Sequence, residues 1–112
     1  MNIIKEVDTF TCNIFVGFRE GYSDIIVDIK LAENICQNYC DNIGYCVTVT
    51  PTKFIYKNGN EPGCKVGLIN YPRFTEEKQK IKEHAFSLAK LLKKEYKQNR
   101  VSIVCSDKTY MI

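Results

Sequence analysis

The chain predicts an α+β fold of the ferredoxin-like kind, β-α-β-β-α-β, with a four-stranded antiparallel sheet and two helices on one face. Three observations predict it. An alternating apolar run opens the chain, two stretches carry apolar stripes at helical spacing, and the remaining alternating runs fall in the order this topology needs. With 112 residues and no Pro-, Gly- or Ser-rich linker, repeat or low-complexity tract, residues 1–112 read as a single domain.

The first strand is predicted over Phe10 to Arg19. Phe10, Cys12, Ile14, Val16 and Phe18 share one face, and Thr11, Asn13, Phe15, Gly17 and Arg19 share the other. Glu20 to Asp24 form a loop, and the boundary of the following helix falls near Ile25 to Val27. Asp28 is placed to cap that helix, because a short acceptor side chain there satisfies an otherwise free amide. Ala32, Ile35, Cys36, Tyr39 and Cys40 form its apolar stripe, and Gly44 suits a left-handed end.

The second strand is expected over Tyr45 to Tyr56. Pro51 within it cannot donate to a ladder, which suits an edge position. Lys57 to Gly63 read as a hairpin loop around Asn58-Gly59, and Cys64 to Tyr71 as the third strand. Thr75 is the expected cap of the second helix, whose stripe is Ile81, Ala85, Leu88, Leu92 and Tyr96. Val101 to Cys105 form the fourth strand, and the Tyr-Met-Ile tail packs somewhere. Strands two and four are then both edges. Since Pro51 blunts strand two, strand four or the open face is where a homo-oligomer is expected to form.

Composition narrows the function classes. The net charge is +3, and eight Lys/Arg face four Glu between Glu76 and Arg100. That excess is read as a solvated helix face with its cations at the negative end of the dipole, so a nucleic-acid partner is not expected. The Lys-over-Arg, Ile- and Asn-rich usage suggests an AT-rich bacterial genome or its phage. Met1 to Asp8 lack the pattern of a secretion signal and no run is long enough to span a membrane, so a cytoplasmic protein is expected. The six cysteines are read as reduced core thiols. A zinc site from Cys36, Cys40 and Cys46 with His84 is the less favoured alternative, so neither metal nor cofactor is expected.

No G-x-G-x-x-G, P-loop, G-x-S-x-G or H-E-x-x-H motif occurs, and His84, the single histidine, is expected at the boundary of the second helix's stripe. Phe15, Ile69 and Tyr71 are expected to form an apolar patch on the open sheet face. Strand ends carry Arg19, Lys53, Tyr56, Glu61, Tyr71 and Arg73. Cations for an anion, a ring for stacking and a carboxylate for sugar hydroxyls or base amines make a candidate site for a small anionic nucleotide-like ligand.

Three segments resemble a family of short phage and prophage proteins with a predicted ferredoxin-like fold. Ile14 to Phe18 is similar to a "hydrophobic-VGL" strand. Gly44 to Val49, with Tyr56 and Glu61-Pro62, is similar to "G-x-T-V … Y-x-x-G … E-x-S". Tyr96 to Val101 is similar to "F-N-Q-x-x-V". Lys97 stands where that pattern has Asn, and Gly63 where it has Ser. The resemblance implies a phage accessory protein, of a kind that counters host defence by trapping a nucleotide-like immune signal or by binding a host defence protein. The leading expectation is therefore a non-enzymatic, homo-oligomeric binding protein that sequesters such a signal. A protein-interaction inhibitor is the second reading, and a small enzyme using His84 or Glu61 the third.

Overall fold

Residues 4–112 are described in a computed structural model, so the beginning of the expected signal-free N-terminus, residues 1–3, lies outside the described residues. In chain order the elements are β1 (Thr11–Gly17), α1 (Ile29–Ile43), β2 (Thr48–Tyr56), β3 (Gly59–Ile69), α2 (Lys78–Glu95), β4 (Ser102–Cys105) and β5 (Thr109–Met111). One antiparallel sheet holds all five strands in the order β2-β3-β1-β4-β5.

Alternation in β1 sorts the two faces. Cys12, Ile14 and Val16 are fully buried beneath the helices, joined by Val66 and Leu68 of β3 and Ile103 of β4. Helix α2 lies chiefly over β1 and supplies Ile81, Ala85, Leu88, Ala89 and Leu92, all without solvent exposure. Each fully buried branched side chain contributes roughly 1.5–3 kcal/mol. The opposite face of the sheet, with Asn13, Phe15 and Gly17 of β1 at its centre, carries no helix.

Helix α1 begins and ends where its sequence says it should. Asp28 Oδ1 accepts from the Lys30 amide at 2.9 Å, and Gly44 takes the left-handed conformation while its amide bonds to the Cys40 carbonyl. Helix α2 starts later than Thr75 predicts. Its N-cap is Glu77, with no side-chain cap, because the Asn70 side chain captures the Glu76 amide at 3.0 Å and holds the preceding loop extended.

Two further expectations change. The hairpin loop is shorter than Lys57–Gly63: β2 and β3 pair from Tyr56↔Gly59 onward across a two-residue turn, in which Asn58 accepts φ 63°. The sheet has five strands where the sequence predicts four. The tail turns at Ser106–Lys108 and returns as β5, so β4 is not an edge and is not the open contact strand expected for oligomerisation. Tyr110 packs edge-on against Phe86 at 5.0 Å, and Lys82 Nζ holds both Asp107 Oδ2 at 2.8 Å and the Tyr110 hydroxyl at 2.9 Å. Those contacts explain why a three-residue strand stays on the sheet.

Candidate functional site

Glu61 and Gly17 meet at one end of the helix-free face. Gly17 pairs with Gly63 across β1 and β3, which leaves the backbone bare there. The Glu61 side chain lies across this gap and its Oε2 accepts from the Arg19 amide at 3.1 Å. A β-carbon on residue 17 would stand 2.6 Å from Glu61 Oε2 and 3.2 Å from Gln98 Oε1, so the two polar side chains approach each other only because position 17 is glycine. Position 63 is equally constrained, since a β-carbon there would strike the Phe54 ring and the Val16 carbonyl.

Around this pair lies a hollow of about 190 Å³ lined by Phe15, Gly17, Phe54, Glu61, Gln98, Arg100 and Ser102. Phe15 and Phe54 meet edge to face at 6.4 Å and form its apolar wall. Gln98 Nε2 donates to the Arg19 carbonyl at 2.5 Å and to the Tyr96 carbonyl at 3.2 Å, which turns its Oε1 toward Gly17. Gln98 is carried there by the end of α2. Tyr96 stacks on Phe18 at 4.8 Å, and its buried hydroxyl donates to the Asp28 carbonyl and accepts from the Ala32 amide. Lys97 then takes φ 52°, with its carbonyl accepting from Gly21 and its ammonium paired with Glu20 at 3.0 Å. The result is an anchored carboxylate, an amide and a guanidinium beside two aromatic rings.

Only some of the residues expected to form a site come together. Arg19 and Glu61 are joined, and the Arg19 guanidinium lies over the hairpin base near the Ser23 and Asn60 carbonyls. Tyr56 packs over Gly59 at the hairpin tip. Lys53 is exposed on β2 opposite Pro62, one position from Phe54, so it points to the other side of the strand. Tyr71 and Arg73 follow the far end of β3, roughly 30 Å from Glu61 at about 3.3 Å per strand residue. Tyr71 belongs there to a ring cluster with Tyr45 and Phe74, which replaces the expected patch with Phe15 and Ile69. The chain leaves the ladder once the Asn70 amide bonds to the Phe10 carbonyl, and the ring turns away.

His84 is not at the boundary but buried, 7% exposed, in the same ring cluster. Its Nδ1 lies 2.6 Å from the Tyr39 hydroxyl and its ring stacks on Tyr45 at 4.2 Å. Burial holds its pKa below the ordinary histidine value, with Lys80 adding to the shift. It sits in the helix layer, separated from Glu61 by the sheet. Among the described residues no three His, Cys, Asp or Glu converge on a metal position. Cys36 is buried, and that burial pushes its thiol up to about 12.

Larger hollows exist but hold less chemistry. The groove of about 520 Å³ on the outside of α1 and α2 presents Leu31, Ile35, Leu91 and three asparagines, with Glu95 as its single charge. A basic hollow of about 460 Å³, lined by Lys90, Lys93, Lys94 and Lys97, shares Gln98 with the Glu61 hollow. The lining residues that the sequence does not mark as a ligand site are Phe15, expected only in an apolar patch, and Gly17, Phe54, Gln98, Arg100 and Ser102. A two-residue turn at Lys57-Asn58 would have placed Phe54 opposite Glu61.

Two solved structures share this architecture along nearly the whole chain. Phage SAM lyase in its apo state superposes with a TM-score of 0.81, and phage SAM lyase in complex with S-methyl-5′-thioadenosine with 0.79. Each is 16% identical, and each comparison covers 99% of this chain and 95% of the other. At that identity the likeness is one of fold. No protein-family model matches the chain, and no curated protein does. The neighbours are phage proteins, in line with the phage-type resemblance of the three sequence segments. One of them holds a small nucleotide-like ligand. The expectation of a non-enzymatic trap is corrected by this finding: both solved structures that share the architecture are of phage SAM lyase, an enzyme. Among the described residues no helix is long and apolar enough to cross a membrane.

Proposed function

We propose that this chain is a lyase that cleaves S-adenosylmethionine to S-methyl-5′-thioadenosine, with Glu61 as its central polar residue. The observation that carries the reading is the Glu61 carboxylate anchored over Gly17 by the Arg19 amide, in a chain whose whole architecture matches phage SAM lyase. Of the two residues considered for an enzyme, Glu61 faces an open hollow, whereas His84 is enclosed by Tyr39 and Tyr45.

The product defines the bond that breaks. Release of methylthioadenosine cleaves the bond from the sulfonium sulfur to the aminobutyrate chain: the substrate's own carboxylate closes on the γ-carbon, the electron pair of the broken bond returns to sulfur, and the four-carbon fragment leaves as its lactone. A positive sulfonium becomes a neutral thioether, so the leaving group needs no proton. Positive charge fades toward the transition state. An apolar wall beside the sulfur therefore favours the reaction, whereas a carboxylate beside it would hold the ground state back. This assigns Phe15 and Phe54 to the methylthio end. Glu61, with one oxygen engaged by Arg19, presents the other to the ribose hydroxyls, and Gln98 offers a second polar contact. Arg100 suits the substrate carboxylate. The homo-oligomer expectation belongs to this reading too: the hollow opens on the helix-free sheet face, where a second copy would enclose a ligand too large for about 190 Å³.

The test is incubation of the purified protein with S-adenosylmethionine, followed by chromatography and mass spectrometry. Methylthioadenosine should accumulate as substrate disappears, and Glu61→Gln should slow it about 100-fold or more at unchanged melting temperature. Intact substrate after prolonged incubation with folded protein would refute the assignment.

A further inference from the structure

We propose that Cys12 and Cys105 form a disulfide site that ties β1 to β4 beneath the helices. The two residues are direct partners in the antiparallel register of these strands. Directly opposed residues in such a pair have Cα atoms about 4.5 or 5.5 Å apart, and both values fall within the roughly 4.4–6.8 Å that a disulfide spans. Both side chains point to the helix-covered face, and their sulfurs lie 2.7 Å apart, well inside the ordinary nonbonded contact of about 3.5–4 Å between heavy atoms. Bond formation thus asks for movement of the sulfurs and little else. Among the described residues, no other pair of the six thiols is joined by a hydrogen bond.

The chemistry is thiol–disulfide exchange with a small disulfide such as oxidised glutathione. Cys105, the less deeply buried of the two, gives up its proton and attacks one glutathione sulfur, expelling a glutathione thiolate. Cys12 then loses its proton and attacks the Cys105 sulfur, expelling the second. The protein pair loses two electrons and two protons, and the oxidant leaves as two thiols. Exchange runs through the thiolate, and Cys12 is enclosed with its ionisation opposed by burial and by the neighbouring thiol. The bond therefore forms while the chain folds, or during openings of β4 and β5, and it is slow in the closed fold. Once made, it closes a loop between residues 93 apart in sequence, and it clamps the strand bearing Phe15 and Gly17 to the strand bearing Ser102.

The experiment is refolding of the full chain in glutathione redox buffer, then denaturing alkylation, intact mass and peptide mapping. The expected product carries four alkylated cysteines instead of six, is lighter by about 2 Da before alkylation, and yields a linked Cys12–Cys105 peptide. Its melting temperature should exceed that of the reduced chain by about 5 °C or more. Cys105→Ser and, to avoid a buried hydroxyl, Cys105→Ala should each remove the link and the shift. Six alkylated thiols after oxidising refolding, or a link through Cys36, Cys40, Cys46 or Cys64, would overturn the proposal.

Discussion

A hydrogen atom in place of a side chain at position 17 keeps the candidate hollow open. Gly17→Ala places a methyl 2.6 Å from Glu61 Oε2, and the carboxylate must swing off the Arg19 amide to clear it. Displacement of a positioned group by about 1 Å costs on the order of 100-fold in rate. Methylthioadenosine formation by Gly17→Ala should fall by about 10- to 100-fold while thermal stability changes little, and a variant with full activity would detach Glu61 from the chemistry. The glutamate was legible in the sequence as a polar residue beside a hairpin. The glycine was not, because its role depends on a neighbour brought in from another strand. His84 is the other residue whose environment decides its behaviour. Its folded pKa lies below the unfolded value of about 6.5, so protonation favours the unfolded chain. Its contribution to stability is complete above that value and is lost as pH falls below it. Melting temperatures measured from pH 7 down to pH 5 should therefore drop more for the wild type than for His84→Gln. Equal slopes would show that His84 does not titrate against the fold.

Elements are held by side chains arriving from distant parts of the chain. The Tyr96 hydroxyl stands between the Ala32 amide and the Asp28 carbonyl, so the first residue after α2 pins the first turn of α1. Tyr96→Phe keeps the ring stacked on Phe18 but withdraws both hydrogen bonds, and should cost about 1–3 kcal/mol in urea unfolding. It should also lower activity, since Gln98 reaches the hollow from the same segment. At the other edge of the sheet, Tyr110→Ala removes the ring on Phe86 and a partner of Lys82, and frees β5 from β4. A loss of about 2 kcal/mol is expected, below the roughly 3–5 kcal/mol of a fully buried aromatic because Tyr110 is only half-buried. Chromatography should show new self-association through the bared strand. Period-two and helical patterns made β1, α1 and α2 legible, and Asp28 and Gly44 marked the ends of α1. The fifth strand was illegible because Thr109–Met111 is too short to show a period, and the interactions that hold it come from α2.

At the scale of the whole molecule, the likeness to phage SAM lyase is one of fold, and the hollow around Glu61 is read from this chain's own geometry. Polar and aromatic residue types at strand ends were legible as a candidate site for a nucleotide-like ligand, the class that one fold neighbour holds. The distribution was not, since Tyr71 and Arg73 lie at the far end of β3 and the lining residues Gln98 and Arg100 return only after the second helix. The volume of the hollow makes the last prediction. About 190 Å³ is less than the roughly 300–1,000 Å³ of a pocket that encloses a small ligand, and the helix-free face around it is open. A single chain would hold the ribose at Glu61 and leave much of the substrate in water, where the apolar wall loses its advantage over the sulfonium. If a second copy covers that face, activity per subunit should rise with protein concentration across the association range and then level off. Methylthioadenosine should shift the same equilibrium toward the assembly by mass action. Sedimentation velocity with and without methylthioadenosine, run beside a rate-against-concentration series, measures both effects. A monomer whose rate per subunit is constant over three decades of concentration would show that one chain suffices.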